Sequence, residues 1–295
     1  MLEEWSREGS KPLITALLTP FDEDGNVIQG ALGPYLSFLE ERGIDGVLVL
    51  GSTGEFPSLT FDEKCSILDE VMMCRAGLKV IAGCGSTALW ESLALAEYAR
   101  RKGADALLLP PPYYFRTIKD DGLERFFASF LEEAGLPVIL YHVPMYTAIP
   151  LSRPLLERLT RFESLWGIKD TGGNLRQTAR YLAAPPGRVL LGSDTMILSG
   201  LKLGVQGIIS AGANIQGTRI REIIEKYEED ESAAAVLQKR VALVKERLKI
   251  LPTAAAMKYW LTLEGIPLGT VRPPLMPLSK EQKNYVRGLR DTTVE

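Results

Sequence analysis

At 295 residues the chain is about twice the size of an ordinary small domain, which calls for two domains or for one large barrel with an extension. Hydrophobic residues at 46% and charged residues at 24%, with no low-complexity tract, describe a globular protein and exclude a disordered or fibrous chain. The 34 basic and 37 acidic side chains leave a net charge of −3 with no basic stripe, so nucleic acid is not an expected partner.

In chain order, the opening MLEEWSREGSK is charged and lacks the apolar segment of a secretory signal. No later apolar run reaches the ~18 residues of a membrane span, so no membrane partner and a cytoplasmic location are expected. Eight short apolar runs that end in Gly, Pro or Asp then follow, at 13–20, 46–51, 79–85, 106–112, 137–144, 165–170, 188–194 and 206–212. Each is too short for a helix and almost unbroken in apolar character, as in strands buried on both faces. Helical spacing lies between them at 31–42, 61–74, 89–101, 122–133 and 153–159. Eight alternations of strand and helix predict an α/β fold, a (β/α)8 TIM barrel; a doubly wound sheet would carry a G-x-G-x-x-G turn after its first strand, and here that turn is TPFDEDGN. From about Thr218 the stretches REIIEKYEEDE, AAVLQKRVALVKERLKI and AAMKYWLTLEG have helical period, so the division expected is a catalytic barrel over 1–217 and a C-terminal helical region over 218–295.

The three cysteines, Cys65, Cys74 and Cys84, form no C-x-x-C pair and are read as core packing, and His142 is the one histidine. Neither a metal nor a cofactor is therefore expected. Active sites of such barrels lie at the C-terminal ends of the strands, which makes strand-end residues the candidates. Gly51-Ser52-Thr53-Gly54-Glu55 presents hydroxyls between glycines and suits either an anion cradle or a tight turn. Lys169, inside the apolar run Leu-Trp-Gly-Ile-Lys-Asp, is either a desolvated amine suited to a Schiff base or the partner of Asp170 or Glu55 in an ion pair. Tyr141 and His142 point to opposite faces of one strand, so only one faces inward; an inward Tyr141 serves as a proton shuttle or as a core aromatic.

These motifs resemble those of the dihydrodipicolinate synthase and N-acetylneuraminate lyase superfamily of pyruvate-dependent class I aldolases. Gly51-Ser52-Thr53-Gly54-Glu55 is similar to the G-[TS]-[TN]-G-E loop, Tyr141-His142-Val143-Pro144 to the Y-N-x-P strand end, and Gly167-Ile168-Lys169-Asp170 to G-x-K-[DE]. The likeness runs from Ala16-Leu17-Leu18-Thr19-Pro20-Phe21 through Pro112-Tyr113-Tyr114 and Gly172-Gly173-Asn174 to Arg272-Pro273-Pro274. It implies a homotetramer, a dimer of dimers, in which Lys169 forms an imine with pyruvate or another 2-oxo acid and Tyr141 transfers protons. It further implies that Ser52 relays protons and that Tyr114 reaches the site of a neighbouring subunit. Thr53 would hold the substrate carboxylate by its hydroxyl and N–H, and Gly51, Gly54, Tyr146, Gly192 and Ile209 complete the substrate-binding set.

Two departures bear on substrate. Tyr146 stands two residues beyond the strand-end Pro, where the synthases carry a carboxylate-binding arginine, and His142 stands in place of the usual Asn. A tyrosine offers no bidentate charged fork, and the strings around Ser52 and Lys169 resemble 4-hydroxy-2-oxoglutarate and 2-oxo-3-deoxy sugar acid aldolases. The expected activity is therefore cleavage or formation of a C–C bond between pyruvate and such an aldehyde. Pyruvate condensation with aspartate semialdehyde (or a related dehydration) and a non-catalytic keto-acid sensor are the other readings.

Overall fold

The computed structural model describes Trp5 and residues 11–294; the charged opening, Trp5 and Lys11 aside, lies outside the described residues. The elements follow the order β1 (Leu13–Ala16), α1 (Leu32–Glu41), β2 (Gly46–Val49), α2 (Phe61–Cys74), β3 (Lys79–Gly83), α3 (Leu89–Lys102), β4 (Ala106–Leu109) and α4 (Asp120–Glu133). They continue with β5 (Val138–His142), α5 (Pro144–Thr147), α6 (Arg153–Leu159), β6 (Leu165–Asp170), α7 (Leu175–Leu182), β7 (Val189–Leu191), α8 (Ile197–Leu203) and β8 (Gly207–Ser210). Four helices close the chain: α9 (Ala213–Lys226), α10 (Glu231–Leu248), α11 (Thr253–Leu263) and α12 (Lys280–Val294). The eight strands are parallel, each bonded to the next, and β8 pairs with β1 to close a (β/α)8 barrel. No helix among the described residues is long and apolar enough to cross a membrane.

The strands are shorter than their apolar runs because each run continues past the last ladder bond into the loop that forms the C-terminal face. Alternation then sorts the side chains. Ile14, Ala16, Leu48, Ile81, Ala106, Leu108, Ile139, Tyr141, Leu190 and Ile209 fill the barrel interior together with Trp5 and Trp166. The intervening residues, Leu13, Val47, Val80, Leu107, Leu140 and Ile168 among them, pack outward against the helices.

β6 breaks this alternation. Trp166 packs in the interior and Lys169, three residues on, also faces inward, which a regular strand forbids. The register between β5 and β6 shifts at this place: Val138 pairs with Leu165, whereas Ile139 pairs with Gly167. This bulge inserts one residue and resets the parity, turning Lys169 inward beside Tyr141 and Asp170 outward. Gly167 is required there, because a Cβ would stand 2.6 Å from the carbonyl oxygen of Arg188.

α9 kinks at Gln216, whose backbone is not helical, and continues as a helix through residues 217 and 218. The helices beyond it build a small core of their own from Val244, Leu248, Ala256, Trp260 and Val286. The last helix, α12, has no counterpart among the stretches read from the sequence, since its sequence is mostly polar and Val286 is its one fully buried side chain among the described residues.

Candidate active site

At the C-terminal end of the barrel β5 and β6 place Tyr141 directly beside Lys169, whose Nζ lies 4.3 Å from the centroid of the phenol ring. Lys169 is only 5% exposed, and among the described residues no carboxylate lies within ion-pairing distance of it. Both partners considered from the sequence are engaged elsewhere. Asp170 accepts from the Gly172 N–H at 2.9 Å and from the Thr178 hydroxyl at 2.7 Å, while Glu55 is bonded to Lys258 at 2.7 Å. The ion-pair reading of Lys169 therefore fails. Desolvation lowers its pKa to about 7, opposed by the more distant charge of Asp194, so near neutrality much of it is a free amine.

Burial raises the pKa of the Tyr141 phenol, and the neighbouring Thr171 and Ser52 hydroxyls act in the opposite direction. The resting group is therefore a phenol able to donate a proton. Ser52, Thr53 and Gly54 form a single 3-10 turn after β2. Its internal bonds use the N–H groups of Gly54 and Glu55, which donate to Gly51 and Ser52. The N–H groups of Ser52 and Thr53, at the open end of the turn, have no acceptor among the described residues, an arrangement suited to a small carboxylate. Gly54 has a steric reason as well: a Cβ there would lie 2.9 Å from the Leu17 carbonyl oxygen.

Glu55 holds this turn in place. It has a left-handed backbone (φ 59°), and its carboxylate accepts from Lys258 Nζ on α11 and from the Arg272 N–H at 3.0 Å. Lys258 and Arg272 lie over the Phe21 ring at 4.5 and 4.4 Å, and Arg272 also pairs with Glu63 at the start of α2. That guanidinium holds the Glu63 carboxyl down at about 2. The C-terminal helices are thereby tied to the loop that carries Ser52 and Thr53.

Other candidates separate. Ile209 lies in the barrel interior in the same cluster as Tyr141. Gly192 directly follows β7, and its N–H donates to the Asp170 carbonyl at 2.7 Å; a Cβ would strike the Thr171 hydroxyl, so its smallness makes room for that side chain. Tyr146 is 57% exposed on α5, and Tyr114 is 76% exposed on the β4–α4 connection, stacked edge-on with Phe115 rather than on the site. His142 faces outward, edge-on to Tyr181.

Sequence reasoning passed over Thr171, whose buried hydroxyl neighbours the Tyr141 phenol. Its signal is the period of two that puts it on the face of Lys169. It also passed over Asp194, which accepts from Ser210 at 2.5 Å and from the Gly212 N–H, and over Lys258. Neither has a local signature, because their partners come from other parts of the chain.

A barrel that presents an unpaired, desolvated lysine against a buried phenol at its catalytic end is the architecture of a Schiff-base lyase. The Dihydrodipicolinate synthetase family matches residues 10–291. The 4-hydroxy-tetrahydrodipicolinate synthase of Bacillus velezensis is 34% identical over 274 residues, covering 91% of this chain and 94% of the relative. A prophage protein of the dihydrodipicolinic acid synthase family from E. coli K12, solved in complex with pyruvate, superposes with a TM-score of 0.91 at 26% identity, over 96% of this chain and 98% of that one. The Proteus mirabilis N-acetylneuraminate lyase superposes with a TM-score of 0.90 at 25% identity, again over 96% and 98%. The chain belongs to the dihydrodipicolinate synthetase family, and it is a class I lyase of the pyruvate-dependent superfamily.

Proposed function

We propose that the protein makes or breaks a C–C bond between pyruvate and an aldehyde, a hydroxyaldehyde where the substrate is a 2-oxo-3-deoxy sugar acid and glyoxylate where it is 4-hydroxy-2-oxoglutarate. The observation that carries this reading is the unpaired Lys169 amine beside Tyr141. The amine adds to the C2 carbonyl of the 2-oxo acid, and Tyr141 gives its phenol proton to the departing hydroxyl, which leaves as water, forming a protonated imine beside a Tyr141 phenolate. Cleavage of the C3–C4 bond sends its electron pair into the imine to give an enamine, while the C4 hydroxyl proton passes towards Tyr141, with Ser52 as relay. Protonation of the enamine at C3 and hydrolysis then release pyruvate. The free N–H groups of Ser52 and Thr53 and the Thr53 hydroxyl would hold the pyruvate carboxylate, with Gly51 and Gly54 keeping the backbone close and Gly192 and Ile209 shaping the cavity.

Tyr146 supports the choice of aldehyde. A phenol can bond to the polyol chain of a hydroxyaldehyde, but it cannot replace the charged fork that aspartate semialdehyde needs, and glyoxylate would need a different cation or backbone N–H groups for its carboxylate. The curated relative's name favours the synthase reading, pyruvate plus aspartate semialdehyde. Incubation with pyruvate and each aldehyde in turn decides between them. Hydroxyaldehyde turnover exceeding aspartate semialdehyde turnover is expected, and Tyr146→Arg should shift the ratio towards the semialdehyde by roughly tenfold or more. The reverse preference in the unsubstituted protein replaces this reading with the synthase.

The exposed Tyr114 and Phe115 support a homotetramer in which Tyr114 completes a neighbour's site, to be tested by light scattering and by the turnover of Tyr114→Phe. We take the working unit to be a barrel over 1–217 that carries the chemistry, with 218–295 bracing its loops, in the cytoplasm.

A further inference from the structure

On the outer side of β5 and β6, away from Lys169, a groove of about 590 Å3 runs between α6 and α7. His142 and Gly172 form part of its lining, together with Arg153, Gln177 and Arg180. Gln177, Arg180 and Tyr181 line it at spacings of three and four, so one face of α7 borders the groove, with Ala184 just beyond the end of the helix. This volume is that of a small-metabolite site.

The imidazole is 5% exposed, and neither of its nitrogens has a hydrogen-bond partner among the described residues. Buried polar groups nearly always have one. Nδ1 is sealed within the protein, whereas Nε2 lies at the edge that Gly172 leaves uncovered, 3.1 Å from where a Cβ on that glycine would stand. The charged groups of the lining are the guanidiniums of Arg153 and Arg180. Arg153 is bonded to Glu157 at 2.7 Å, while Arg180 has no ion-pair or hydrogen-bond partner among the described residues. The Asp170 carboxylate borders the same edge, its Oδ1 also 3.1 Å from where a Gly172 Cβ would stand, and both its oxygens are engaged, by Gly172 and Thr178.

We propose that this groove binds a small oxyanion, a carboxylate or a phosphate, through Nε2–H of His142 and the guanidinium of Arg180. His142 directly follows Tyr141 and pairs in register with Asp170, which directly follows Lys169. An occupant thus rests on the reverse of both strands that carry the candidate chemistry, in a site separate from theirs. The assignment does not depend on which aldehyde the barrel accepts.

His142 is the single histidine of the chain, so its ring resonances report this groove without overlap. In the full-length protein at fixed pH and ionic strength, titration with inorganic phosphate, and separately with succinate, should shift those resonances saturably, whereas chloride should not. Saturation by phosphate alone defines a phosphate site, and saturation by succinate alone a carboxylate site. Arg180→Gln, at an exposed position, should weaken the binding by roughly tenfold or more while Arg180→Lys retains most of it. Shifts that stay linear to tens of millimolar for both anions, or an Arg180→Gln protein that titrates like the parent, overturn the assignment.

Discussion

Lys169 and Lys258 are both sealed inside this protein, 5% and 1% exposed, and desolvation lowers both, to about 7 and about 8. What faces the two ammonium groups is opposite in kind. Lys258 meets the Glu55 carboxylate and the Thr270 carbonyl, so its charge is compensated and it serves as a strut between α11 and the Ser52 loop. Lys169 meets a phenol ring and, among the described residues, no carboxylate within ion-pairing distance, so its charge has no paired counter-ion. Burial by itself therefore does not mark a reactive lysine; burial without a counter-ion does.

The largest effect expected is at Lys169. Lys169→Met should abolish both turnover and the borohydride-trapped pyruvate adduct, as read by mass spectrometry, yet leave the unfolding midpoint unchanged or higher, since no buried partner is orphaned. Retained activity would remove Lys169 from the chemistry. Next comes its neighbour: Tyr141→Phe should lower turnover by ~10²–10⁴-fold while the adduct still forms. An unchanged rate would leave Tyr141 as packing.

Lys258→Met should do the reverse of Lys169→Met. The adduct should still form, but Glu55 is left buried without its cation, at a cost of about 3–5 kcal/mol and a fall in the unfolding midpoint on the order of 10 °C. Adding Glu55→Gln should recover part of that loss. If Lys258→Met melts with the parent, the strut contributes nothing and the contrast between the two lysines fails.

The smallest effect is in pH dependence. The rate of imine formation should rise about tenfold per pH unit below about 7, where Lys169 is protonated, and level off above it. Stability has its own sign. Both pKa values are lower in the folded chain than the ordinary 10.5, so between about 7 and 10.5 the unfolded chain binds more protons and stability rises with pH. Below about 7 both states are protonated and the penalty is complete. Lys169→Met should remove the part of the rise that begins near 7 and keep the part due to Lys258, which begins near 8, as followed by urea denaturation at a series of pH values.

The amino-acid sequence by itself determined the eight strands, their order and the end of the barrel that bears the site. Short apolar runs and their terminal Gly, Pro and Asp residues are local signals, and a strand buried on both faces needs nothing else to announce it. It also determined that Tyr141 and His142 diverge, which follows from a period of two. It did not decide that Lys169 faces Tyr141. Counted from the inward Trp166, Lys169 has the wrong parity, and only the bulge between β5 and β6, a property of two paired strands, turns it into the barrel. Nor did it decide which lysine would be compensated. Glu55 lies 114 residues from Lys169 and 203 from Lys258 along the chain, and barrel closure with the docking of α11 chooses between them. A charge placed in a low-dielectric interior takes its reactivity from whatever the tertiary structure brings against it, and no local pattern encodes that neighbour.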